Sequence, residues 1–183
     1  MDESDRILRP ANYPPGTPGR GWTMAEADGT RVAVVNLMGR VFMPVVDDPF
    51  RIAAEMVDEL RTSTPVVIVD MHAEATSEKM AIARFLDGRA SFVFGTHTHV
   101  QTADEQIFAG GTAYLTDVGM TGPMDGVIGM ESAGVIERFT SAYAERFNVV
   151  KAGPKQFCAA VVSIDRTTGK AAEIKRIFMR GIA

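Results

Sequence analysis

The sequence predicts an α/β fold, layered around a partly parallel sheet. Two short apolar runs, residues 65–71 and 90–95, have the composition of parallel strands buried on both faces. The segment between them, residues 77–86, reads as a helix stopped by Asp87-Gly88. Strand, helix, strand at this spacing is the crossover unit of a parallel sheet.

The other elements follow in chain order. Residues 9–22 hold four prolines and three glycines, so they form an extended, turn-rich loop rather than a helix or central strand. Residues 23–27 and 31–37 are β-rich runs about the turn Asp28-Gly29, a hairpin signal. Asp47-Asp48-Pro49 suits a helix start, and Ile52, Met56, Val57 and Leu60 give residues 50–61 a helical period. Residues 106–120 suggest two short strands split by Gly110-Gly111, and residues 132–146 a third helix. Residues 158–165 and 170–179 flank Thr167-Thr168-Gly169 as a terminal hairpin. No repeat, low-complexity tract or linker interrupts the 183 residues, which are read as a single domain.

Composition narrows the function classes. With 46% hydrophobic and 23% charged residues the chain is an ordinary globular one. A net charge of −4 gives no long-range attraction for nucleic acid or an anionic membrane, so an anionic substrate needs local positive charge. No run reaches the ~20 apolar residues of a membrane span, and the acidic N-terminus is not a secretory signal. A cytoplasmic protein without membrane partners is expected. The single cysteine, Cys158, sits among apolar residues and reads as a buried structural thiol.

The chemistry concentrates at the ends of the two buried strands. One ends in Asp70-Met71-His72-Ala73-Glu74, the other in Gly95-Thr96-His97-Thr98-His99. These are the only histidines of the chain, and His72 and His97 are 25 residues apart, one strand–helix–strand unit. Right-handed crossover brings both strand ends to one edge of the sheet, where α/β folds bind ligands. Neutral imidazole is a good ligand for zinc, iron, manganese or nickel, and its pKa near ~6.5 leaves it available at neutral pH. His72, His97 and His99 are therefore candidate metal ligands. Asp70 is a candidate to orient His72, and Glu74 to do the same or to cap the following helix. Asp104 and Asp117 lie in loops, with turn and functional roles equally open. The glycine-rich residues 119–129 lack the Gly-Lys-Ser/Thr of a phosphate-cradling loop and read as a loop lining the site.

Long motifs give a family resemblance. Residues 70–79 and 95–104, residues 9–22, Gly39-Arg40-Val41-Phe42-Met43-Pro44 and residues 116–123 closely resemble the YmdB-like bacterial metallophosphoesterases. The resemblance implies a layered α/β sandwich of the calcineurin-like type, four layers deep. It implies a centre of two metal ions, of the iron or manganese type, and phosphodiesterase activity on small phosphodiesters such as 2′,3′-cyclic nucleotides. It assigns His72 and His97 to one metal and His99 to the other.

Family members also begin with a strand ending in Gly-Asp, then a Glu-Asn pair and a Gly-Asn-His motif, which this sequence lacks. On that reading residues 1–183 are the C-terminal two-thirds of a metallophosphoesterase domain, incomplete at the N-terminus. The general-acid histidine lies outside the chain, so no catalytic residue is assigned within it. The alternative is an inactive half-site acting as a weak metal binder or interaction module. A homo-oligomer and RNA-related partners stay open. A His-x-His amidohydrolase barrel is disfavoured, because only 84 residues and no histidine follow His99.

Overall fold

The computed structural model describes Ser4, residues 6–141 and residues 146–182. A six-stranded sheet runs in the order β1-β2-β3-β4-β6-β5. Its members are β1 (Trp22–Ala27), β2 (Thr30–Met38), β3 (Val67–His72), β4 (Phe92–Thr96), β5 (Gln106–Ile107) and β6 (Ala113–Leu115). The strands β2, β3, β4 and β6 are parallel, while β1 and β5 close the two edges antiparallel. The expected hairpin at Asp28-Gly29 and the split at Gly110-Gly111 are both present.

Helices α1 (Pro49–Arg61) and α2 (Thr76–Phe85) pack on one face of this sheet. Asp48 starts α1 as its N-cap, its carboxylate accepting from Phe50 N at 2.8 Å, a contact worth about 1 kcal/mol. The buried stripe of α1 is Ala53, Val57 and Leu60. Ile52 and Met56, placed by the sequence pattern on the core face, flank that stripe half-buried. Each fully buried Val or Leu contributes roughly 1.5–3 kcal/mol.

A second, antiparallel sheet of β7 (Gly122–Pro123), β8 (Lys155–Ile164) and β9 (Ala171–Ile182) covers the other face. Phe92, Leu115 and Ala113 of the large sheet meet Ala160, Val162, Ala171 and Ile174 of the small one. On the opposite face of the small sheet, Phe157, Val161 and Met179 are 38, 53 and 50% exposed. The layers described are thus helices, large sheet and small sheet. Helix α3 (Ser132–Ser141) buries only Val135. Of the helix expected over residues 132–146, residues 142–145 lie outside the described residues and Arg146 is not helical. No helix among the described residues is long and apolar enough to cross a membrane.

The register of β3 on β4 carries the consequence for function. His72 is the Cα partner of Thr96, so His72 and His97 emerge side by side at the carboxyl edge. Gly95 makes this edge compact. A Cβ there would collide with the Thr116 carbonyl oxygen and lie 2.6 Å from Cδ of Lys79. Gly95→Ala is expected to destabilise the protein by about 3 kcal/mol, read by urea denaturation, because backbone rather than a flexible side chain blocks the methyl.

Candidate metal centre

His72 and His97 face each other with ring centroids 4.9 Å apart in an edge arrangement. Nε2 of His72 lies 3.2 Å from Nδ1 of His97. The remote nitrogen of each ring is occupied. Nε2 of His97 is 3.0 Å from Oε2 of Glu74. Nδ1 of His72 is 3.1 Å from the Thr96 hydroxyl, which itself donates to Oδ1 of Asp70 at 2.7 Å.

These partners assign the tautomers. A carboxylate can only accept, so neutral His97 carries its proton on Nε2. The Thr96 hydroxyl spends its hydrogen on Asp70, so it accepts from Nδ1–H of His72. With both rings neutral, the two facing nitrogens are lone pairs 3.2 Å apart, a spacing that one cation can fill. Two imidazoles at ~2.05 Å from one tetrahedral ion would place their nitrogens ~3.3 Å apart. The pair therefore fits a shared metal ion, each ligand backed by a carboxylate directly or through a hydroxyl.

The electrostatics favour the same state. Burial pushes His72 below its ordinary pKa, and the neighbouring His97 and Lys79 add to that, so the ring is held neutral and available to a metal. Burial raises the Asp70 carboxyl, with hydrogen bonds from Thr96 and Asn36 pulling the other way. The Asn36 amide donates to Oδ2 of Asp70 at 2.8 Å.

Glu74 acts differently from its expected roles. It contacts His97, not His72, and α2 is capped at Ala75 without a side-chain bond. His99 stands beside the pair rather than in it. Its Nδ1 is buried without a hydrogen-bond partner. It lines a cavity of about 290 Å³ with Met120, Met124, Gln156, Phe178 and Arg180. The glycine-rich loop contributes Gly126 and Gly129 to the same wall, as the sequence suggested. Among the described residues, no three of His, Cys, Asp and Glu converge on one point.

The sequence pattern leaves the role of Asp117 open and assigns none to Lys79; the structure joins the two. Lys79 is fully buried and its Nζ lies 3.0 Å from Oδ2 of Asp117, itself 1% exposed. The signal was present: Lys79, Ile82, Ala83 and Leu86 follow the 3-4-7 spacing of a core stripe, and a lysine in such a stripe demands a buried anion. Cys158 is buried as expected, and burial, with Asp117 nearby, pushes its thiol pKa up, leaving it protonated and inert.

Asp104 is structural. It accepts from Thr116 N at 3.2 Å and from the Thr116 hydroxyl. Burial raises its pKa, but hydrogen bonds from Thr102 and Thr116 outweigh it and leave the carboxyl below its ordinary value. A depressed carboxyl contributes stability above its unfolded pKa, ~3.9, and loses it as pH falls through the folded value. Asp104→Asn should therefore lower the melting temperature at pH 7 and leave it nearly unchanged at about pH 2, in thermal scans at both.

A family model of YmdB-like proteins matches residues 1–177. A 2′,3′-cyclic-nucleotide 2′-phosphodiesterase of Bacillus subtilis (strain 168) is 50% identical to this chain, over 98% of it and 67% of its own length. A relative in Mycoplasma pneumoniae is 38% identical over 87% of this chain and 57% of its own. Among solved structures, a hypothetical protein of Thermus thermophilus superposes with a TM-score of 0.92 at 42% identity, over 99% of this chain and 70% of that one. A Mycoplasma pneumoniae phosphatase superposes at 0.88 and 33% identity, over 98% and 65%. The chain thus spans about two thirds of the Bacillus relative and less of the Mycoplasma ones.

Proposed function

From the premise that this chain belongs to the YmdB-like family, we propose that it is a metal-dependent phosphodiesterase acting on small phosphodiesters of the 2′,3′-cyclic nucleotide class. The carrying observation is the pair of imidazole nitrogens facing each other 3.2 Å apart, the His97 ring fixed from behind by Glu74 and the His72 ring by Asp70 through the Thr96 hydroxyl. His72 and His97 would hold one ion between them and His99 a second, of the iron or manganese type. When bound, such ions supply Lewis acidity to an in-line displacement at phosphorus.

The chain's own residues do the positioning. Thr96 and Asp70 hold the His72 ring, and Glu74 holds that of His97. The cavity beside His99 offers the organic part of the substrate Phe178, Met120 and Met124 as apolar surface, with Arg180 and Gln156 for polar contact. The working compartment is the cytoplasm.

Three imidazoles bring no negative charge to two divalent ions. The nearby carboxylates are engaged: Asp70 by Asn36 and Thr96, Glu74 by His97, Asp117 by Lys79. Glu78 accepts from the backbone N–H groups of Arg40 and Val41. This favours a second reading in which residues 1–183 are the C-terminal two-thirds of the domain and the anionic ligands lie outside them. The half-site then binds metal weakly and turns over only when completed.

Manganese-dependent hydrolysis of 2′,3′-cyclic AMP separates the two. Turnover by the 183-residue chain alone supports a self-sufficient enzyme. No turnover alone, restored when the chain is fused behind the remaining segment of the Bacillus relative, supports the half-site. No turnover in either form contradicts the phosphodiesterase reading.

A further inference from the structure

The turn that carries His97 and His99 is strained. Both residues adopt positive φ, 94° and 66°, where non-glycine residues are uncommon. Such a turn persists only if its surroundings over-determine it. The residue between them, Thr98, is gripped by one carboxylate: Oδ2 of Asp117 accepts from Thr98 N at 3.1 Å and from its hydroxyl at 2.5 Å. Oδ1 of the same group accepts from Gly119 N at 2.8 Å, holding the loop that follows. Lys79 Nζ completes the grip, reaching Asp117 at 3.0 Å and the Thr98 hydroxyl at 3.2 Å from the buried face of α2.

We propose that Asp117 is a positioning residue for the metal centre, with Lys79 as the buried cation that neutralises it: the carboxylate clamps Thr98 so that His97 and His99 are held in their ligating orientations before any ion arrives. The inference rests on the metal reading above. Neither residue touches the candidate ion position, so they act through the backbone of residues 97–99. A buried ion pair need not stabilise a fold, because desolvation offsets the attraction, whereas fixing a unique geometry is a role that it can serve.

The test separates position from stability with three variants of the full chain, read by electron paramagnetic resonance of Mn(II) binding and by melting temperature. Lys79→Met strands the carboxylate but leaves its bonds to Thr98, so it should melt lower while binding Mn(II) within about threefold of the unaltered chain. Lys79→Met with Asp117→Leu removes both charges and the clamp, so affinity should fall by on the order of 10- to 100-fold although the protein stays folded. Thr98→Val removes one of the two bonds to Asp117 and supplies an intermediate loss of affinity if the double variant does not fold. Affinity that follows melting temperature across the series, or a folded double variant with unaltered affinity, overturns the proposal.

Long-range proton–nitrogen spectra of the imidazoles in the metal-free protein keep the two readings apart. If the unaltered chain binds no Mn(II), the metal reading fails. The clamp still stands if the His97 ring is locked in one tautomer in that chain and averages between tautomers in the double variant. It falls if the spectra are the same.

Discussion

Replacing His97 by alanine is expected to lower the Mn(II) affinity of the chain by about 100-fold or more while changing its stability by less than about 1 kcal/mol. The two halves of that expectation have separate causes. His97 provides one of two bare nitrogens 3.2 Å apart, so its loss halves the donor set of that ion. Its ring is one-third exposed and its partners are His72 and Glu74, so removing it opens no core cavity. His97→Gly is the matched control. With φ at 94° the backbone here suits glycine, so this variant should be more stable than the alanine one by about 1 kcal/mol and bind metal equally poorly. Titration calorimetry and urea denaturation of both variants give the two numbers. Retained affinity in either would remove His97 from the site.

Asp117→Ala is expected to destabilise the protein by about 3–5 kcal/mol, because it leaves the fully buried Lys79 ammonium without its anion and Thr98 N and Gly119 N without an acceptor. For a domain whose total stability is about 5–15 kcal/mol, a loss of this size leaves a large unfolded fraction on mild heating. Pairing the change with Lys79→Met removes the stranded charge, so much of the loss should be recovered. The double-mutant cycle in urea should therefore give a coupling of a few kcal/mol. Additive losses would mean that the two side chains act independently.

The sequence carried the parts of this architecture that rest on composition and period. The runs at residues 65–71 and 90–95 read as buried strands because they are apolar almost throughout, and they became the adjacent parallel strands β3 and β4. That adjacency brought His72 and His97 together, as a crossover of 25 residues requires. Family motifs extended the reading to the protein's relatives, with the whole matched segment at residues 1–177.

What escaped was set by side-chain contacts between distant elements. Asp117 looked like one of several loop carboxylates, and only the closure of α2 onto the loop after β6 buries it on Lys79. Glu74 is two residues from His72 in sequence, yet the turn at the end of β3 aims it across to His97. The two-residue strand β7 is too short to show any period and exists only by pairing with β8. The cavity that His99 lines with Met120 and Phe178 is likewise assembled from distant elements, and the backbone of His99 at φ 66° is a conformation no spacing rule encodes.

The most direct test of the central claim is anomalous diffraction at the manganese edge from crystals of the chain grown with Mn(II). The account predicts a peak between the rings, about 2.0–2.2 Å from Nε2 of His72 and Nδ1 of His97, with Glu74 and Thr96 still on the remote nitrogens. Crystals in which Mn(II) is bound elsewhere while these two nitrogens stay metal-free would contradict it.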